Sequence, residues 1–416
     1  MWARRIATAF ALLAIAGCAQ TPLTTASAIG GGFGASGSQA KVAGKSALAI
    51  FTGLDDYAAK KADNHARIKY THGLLATVGS GPKADLFLSA DSGIKNDSFR
   101  VRVTPNQAWR TGFERLGELK TNQTPALREF MAWVGDRTDA SETHAVIFTH
   151  GGGHGGVLLD YDGKPAVPAS SMTLQNTARA LAKGHTGRRL ASLTLDACMM
   201  ATIEAGEALK GVTAVMTGSE DFSMMGSTPY DELAGALASG QHANGEAFGR
   251  FATEAIIQRG KGGAHNSRTW SAIRLNQDYD RLVADVDRLA RALLEAMKTE
   301  PEAVRAAAKD TRMFALMAEY APHYGDYYQR DLIDFCRALK RHVKARAVLA
   351  GADTVEAATR KVLIAVSNHP SETMAHGLAI YLPHGLAPAT KAARLKAYGD
   401  CLFARHTRWD DFLAAL

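Results

Sequence analysis

His144-Ala-Val-Ile-Phe-Thr-His150-Gly-Gly-Gly153 and Leu190-Ala-Ser-Leu-Thr-Leu-Asp196-Ala-Cys198-Met-Met200 are the two stretches from which this chain is read. Each is an apolar, β-branched run, too short for a spanning helix and bounded by turn residues, so each reads as a buried strand. The first ends on a histidine followed by glycines, the second on an acid and a thiol. In an open parallel sheet the C-terminal strand ends line one crevice, where ligands bind. A histidine and a cysteine delivered there by two strands can face each other.

That pairing has chemical meaning. A free thiol is mostly protonated near neutral pH, and a nearby imidazole raises its thiolate fraction or takes its proton during attack. The glycines after His150 leave backbone N–H groups bare of side chains. The N–H groups of Gly151 and Cys198 can together form an oxyanion hole, the donor pair that stabilises a tetrahedral acyl intermediate.

Working outward, Ser46–Gly53 reads as a first core strand, Lys83–Ser89 as a second and Phe99–Val103 as an edge ribbon. Helices are expected after Thr124-Pro125, over Leu174–Ala182 and over Thr202–Leu209, and a further strand over Val212–Thr217, which leads into Gly218-Ser-Glu220-Asp221. The alternation of strand and helix implies a mostly parallel sheet with helices on both faces. Gly155–Gly163 resembles a hairpin turning at Asp162-Gly163. Past a glycine-rich connection at 260–268, amphipathic helices around Leu282–Met297 and Leu332–Val343 and a late strand at Gly377–Pro383 give a mostly helical C-terminal part. The expected division is 46–259 for the α/β domain and 260–416 for the part that packs on it.

Residues 1–18 carry Arg4 and Arg5, a short apolar segment and Ile15-Ala-Gly-Cys18. This describes a signal peptide, and the last string looks like a lipobox at which Cys18 would be lipidated. An ordinary secretory signal is the alternative. Without an acidic residue at Ala19, an outer-membrane address is expected in a cell that has one, and otherwise a lipid-anchored or secreted envelope protein. Residues 19–45 are rich in Gly, Ala, Ser and Thr and read as a tether reaching roughly 25–30 Å. The net charge of +7 is scattered without basic runs, which argues against a nucleic-acid partner. A monomer is expected. Four cysteines are present. Cys198 is the candidate free thiol, while Cys336 and Cys401 read equally well as a disulfide or as two buried thiols.

Together, His150-Gly-Gly-Gly, Asp196-Ala-Cys198-Met-Met with Glu204, Leu332-Ile-Asp334-Phe and Gly377-Leu-Ala-Ile-Tyr-Leu-Pro383 resemble the clostripain family of cysteine peptidases, which belongs with caspases, gingipains and legumain. The resemblance implies a caspase-like α/β fold and a Cys198–His150 dyad that cleaves protein substrates after Arg or Lys through an acyl-enzyme. It further implies that Asp196 lies at the base of the pocket for the basic side chain, with Glu220 and Asp221 as candidates to line it. Read from the residues alone, Asp196 could simply cap the following helix. Family members are often activated by self-cleavage between the histidine and the cysteine, and Lys164, Lys183, Arg188 and Arg189 fall in that interval. His144 reads as structural and His154 as a loop residue. No cofactor is required by this chemistry. No metal-binding motif is evident in His150, His154, Asp160 and Asp162, although calcium near the two aspartates stays open. Thr149 replaces the acid or amide that often precedes the family's histidine, so an inactive envelope scaffold of the same fold is the alternative function.

Overall fold

The computed structural model describes residues 41–54, 61–160, 170–224, 226–259, 267–324 and 328–416. The expected signal peptide with Cys18, the tether up to residue 40, Asp162, Lys164 and most of the glycine-rich connection lie outside the described residues. Strands β1 (Val42–Gly53), β2 (Ala84–Asp91), β3 (Ser98–Val103), β4 (Glu114–Gly117) and β5 (Ala140–Thr149) come first. They are followed by β6 (Val157–Asp160), β7 (Ser170–Met172), β8 (Leu190–Asp196), β9 (Thr213–Gly218) and β10 (Thr269–Arg274). The last are β11 (Gln329–Asp331), β12 (Leu363–Asn368) and β13 (Ala379–Tyr381). One sheet of nine strands runs β12-β10-β9-β8-β5-β1-β2-β3-β4. Its five central strands, β9 to β2, pair in parallel, and antiparallel strands extend it at both ends.

The central strands are buried at most positions because helices cover both faces. Ala47, Ala49 and Phe51 of β1 join Ala145, Ile147, Leu193 and Leu195 in one core. The intervening Leu48 and Ile50 join Val146 and Phe148 in the other. This is the period-two alternation of a strand buried on both sides.

Two expected boundaries move. β1 begins at Val42, which pairs with Ala140, so the end of the expected tether is already strand. The expected division at 259/260 does not divide the sheet, because β10 and β12 come from beyond it and pair with β9 and with each other. The rest of that part is helical as expected, with helices at Gln277–Thr299, Leu332–His342 and Arg346–Val362. The late strand is only β13, paired with β11 in a separate two-stranded sheet. Among the described residues no helix is long and apolar enough to cross a membrane.

Candidate active site

The β5–β8 register places Phe148 opposite Asp196. Two residues beyond this pair come His150 and Cys198, at the same end of neighbouring parallel strands. Within the strands, His144 sits opposite Ser192 and is a structural residue: Nδ1 lies 2.8 Å from Ser192 Oγ and Nε2 2.9 Å from Ala243 O, and burial pushes its pKa down to about 4.

Glycine is required after His150. A Cβ at Gly151 would stand 2.2 Å from Cys198 O and 3.0 Å from Cys198 N, so only a bare backbone fits against the cysteine. At Gly153, with φ at +58°, a Cβ would meet Gln329 Nε2 at 2.3 Å. The loop thus sits between the cysteine turn and β11. That turn is tightly held: Met199 adopts φ +59°, a left-handed conformation costly for a side-chain-bearing residue, and its N–H donates to Asp221 O at 2.9 Å. Ala201 N–H donates to Ser219 O at 2.9 Å, which ties the turn to the exit of β9.

The Cys198 thiol is half-buried and donates to Ser223 O at 3.5 Å. Burial pushes its pKa up to about 12, with Asp221 and Asp196 adding to the rise, so the resting group is the neutral thiol. Ser223 touches the acid as well, because its hydroxyl donates to Asp196 Oδ1 at 3.0 Å. Tyr230 O–H donates to Asp196 Oδ2 at 2.6 Å. Asp196 is 2% exposed, and burial raises its pKa against the pull of these hydroxyls. Ser223 and Tyr230 escaped the sequence reading: both are ordinary polar residues, some thirty positions from the acid that gives them meaning.

Glu220 and Asp221 are bound through their carboxylates to backbone N–H groups, although Asp221 shares with Asp196 an influence on the thiol. Both are fully buried, and their carboxylates hold the C-terminal part in place. Asp221 accepts the N–H groups of Leu316 at 2.9 Å and Met317 at 3.0 Å, in the first turn of helix Ala315–Tyr324, and burial pushes its pKa up to about 7. Glu220 accepts Gly377 N–H at 2.8 Å, and burial together with the neighbouring Asp331 raises its pKa well above the usual range.

The remaining candidates separate clearly. Lys183, Arg188 and Arg189 precede β8, at the end of the sheet opposite Cys198 and roughly 20 Å away along the strand. There Arg189 already donates to the carbonyls of Thr213, Lys210 and Leu275. His154 packs on Tyr381 and Tyr398, with ring centroids 4.3 and 5.1 Å away, and burial pushes its pKa down to about 4. Glu204 is buried and accepts Tyr381 N–H and Tyr398 O–H, each at 2.9 Å, so it pins β13 beside the cysteine turn. Asp160 accepts Thr121 N–H at 2.9 Å, and among the described residues no group of three His, Cys, Asp or Glu side chains could hold a metal ion. Cys336 and Cys401 are free, buried thiols.

A thiol and an imidazole at adjoining ends of parallel strands, above a buried carboxylate, are the apparatus of a cysteine peptidase on a caspase-like sheet. The family profile described as the clostripain family matches residues 82–415, and the chain belongs to that family. It is similar in fold to an inactive zymogen of a C11 protease from Parabacteroides distasonis, with 16% identity, TM-score 0.61, and 87% of this chain and 97% of that one covered. It is similar also to a secreted C11 cysteine protease from Bacteroides thetaiotaomicron solved with an irreversible peptide inhibitor, with 13% identity, TM-score 0.59, and 88% and 99% covered. A second structure of a secreted C11 protease from that organism, iotapain, gives 12% identity, TM-score 0.56, and 87% and 99% covered. No sequence among the curated proteins matches the chain.

Proposed function

We propose that this chain is a secreted, lipid-anchored endopeptidase that cleaves after Arg or Lys through a thioester on Cys198. The observation that carries the reading is the parallel β5–β8 register, which leads His150 and Cys198 to one edge with Asp196 at the strand end beneath them. His150 takes the thiol proton as sulfur attacks the scissile carbonyl, and the N–H groups of Gly151 and Cys198 hold the oxyanion. Collapse expels the amine, which His150 protonates. Water then hydrolyses the thioester. Because the resting thiol points at Ser223 O, it must turn from that carbonyl toward the imidazole before attack.

Asp196 would read the substrate. Its carboxylate is buried with hydroxyl partners and, among the described residues, no cationic one, so an incoming guanidinium or ammonium would compensate it, whereas an apolar side chain would not. Self-cleavage within one chain narrows to Lys164, since the three other basic candidates lie at the far end of the sheet. The mechanism calls on no cofactor. Anchoring through Cys18 would hold the enzyme at the envelope surface.

The test uses protein lacking residues up to Ala19, with Cys198→Ala beside it, on peptide amides ending in Arg, Lys, Asp, Asn or Leu. Cleavage after Arg or Lys that falls by at least about 10⁴-fold in the variant is the expected result. Cleavage after another residue would keep the thiol and discard the Asp196 pocket. No cleavage by protein first nicked with trypsin, with calcium present, would favour the inactive scaffold.

A further inference from the structure

Five of the twelve methionines meet in one cluster against Cys198: Met199 and Met317 buried, Met224, Met313 and Met374 half-buried. Phe222 and Phe314 are buried members of the same cluster. The three half-buried side chains come from three separate loops. Met224 follows the residue whose carbonyl holds the thiol, Met313 precedes helix Ala315–Tyr324, and Met374 precedes β13. Methionine is unbranched and polarizable, and it is over-used where a surface must fit apolar partners of varied shape.

Its place in the sheet says what this surface meets. The strand order is β9-β8-β5, so Cys198 at the end of β8 has His150 on one side and the β9 exit on the other. In the reaction proposed above, on which this inference rests, the leaving amine must reach His150. The acyl half of the substrate therefore runs across the β9 side, over Met224, Met313 and Met374.

We propose that these three methionines form a specificity subsite for the residue immediately before the cleaved one, and that it takes large apolar side chains and rejects acidic ones. An acidic side chain pressed on three thioethers would lose its water and gain no partner. The subsite acts independently of Asp196, which would read the next residue along.

Digestion of a mixed peptide library, with cleavage points read by mass spectrometry, reports this position whatever residue precedes the cut bond. Leu, Met and Phe should exceed Asp and Glu there by at least about tenfold, the factor expected for about 1.4 kcal/mol. In Met313→Lys and Met374→Lys, both at half-buried positions, acidic residues should gain at least about fivefold relative to Leu. The residue cut after should stay the same. Iodoacetamide labelling of Cys198 at the wild-type rate shows that each variant has kept its folded site. An even distribution before the cut in the wild type overturns the subsite, as does an unchanged ratio in both lysine variants that label normally. Cleavage after residues other than Arg and Lys with the apolar preference intact would remove only the Asp196 assignment. Absence of any Cys198-dependent cleavage removes the site and this subsite with it.

Discussion

Two neighbouring strand exits carry acids, and they do different work. At the end of β8, Asp196 meets two side-chain hydroxyls and lies two residues from the thiol. At the end of β9, Glu220 and Asp221 meet backbone N–H groups of Gly377, Leu316 and Met317, far along the chain. Hydroxyls rotate and can share an acceptor with an incoming cation, whereas backbone donors are fixed by the elements that carry them. An acid surrounded by movable donors is suited to recognise; one surrounded by fixed donors is suited to hold.

The contrast can be broken by experiment. Asp196→Asn should lower kcat/KM for Arg and Lys substrates by at least about a hundredfold, with the melting temperature changed little. Retained cleavage of basic substrates would sink the recognition side of the comparison. Asp221→Asn should do the opposite, because Asn keeps only one acceptor oxygen for the donors that Asp221 holds. A loss of about 1–3 kcal/mol is expected, seen as a melting point lower by about 2–5 °C, with kcat/KM at a temperature well below it within about threefold. A specific loss of basic preference at unchanged melting point would make Asp221 a recognition residue after all.

The smallest effect sharpens the holding side. Burial and the neighbouring Asp331 raise the Glu220 pKa, so the folded chain keeps a proton there that the unfolded chain has released. Its contribution to stability therefore falls as pH rises from the usual glutamate value through the raised one. Glu220→Gln needs no such proton. Its melting temperature should decline less between pH 5 and pH 8 than that of the wild type, by at least about 2 °C. Parallel pH profiles would show that Glu220 carries its charge in the folded protein without penalty.

The five parallel strands were legible because each is a compact apolar run closed by turn residues, and His150 and Cys198 were legible because they stand where such runs end. β12 was not. It continues without a breaker from helix Arg346–Val362, and Val362-Leu363-Ile-Ala-Val reads equally well as one more helical turn. β10 was hidden because it follows directly on the glycine-rich connection at 260–268. The acids at 220 and 221 read like the one at 196, because the donors that set them apart lie about a hundred positions or more downstream. Ser223 and Tyr230 carried no signal of their own: a lone serine and tyrosine have too many ordinary uses.

The cysteine turn is held from both sides, by the β9 exit and by β13, whose Ala379 N–H donates to Ala201 O at 2.9 Å while Glu204 grips Tyr381. The second of these supports comes from about 180 positions further along the chain than the cysteine it holds. On the ribosome, the thiol and the imidazole emerge long before the strand that completes the turn around them. Synthesis order alone therefore separates the appearance of the thiol from the completion of the turn that holds it.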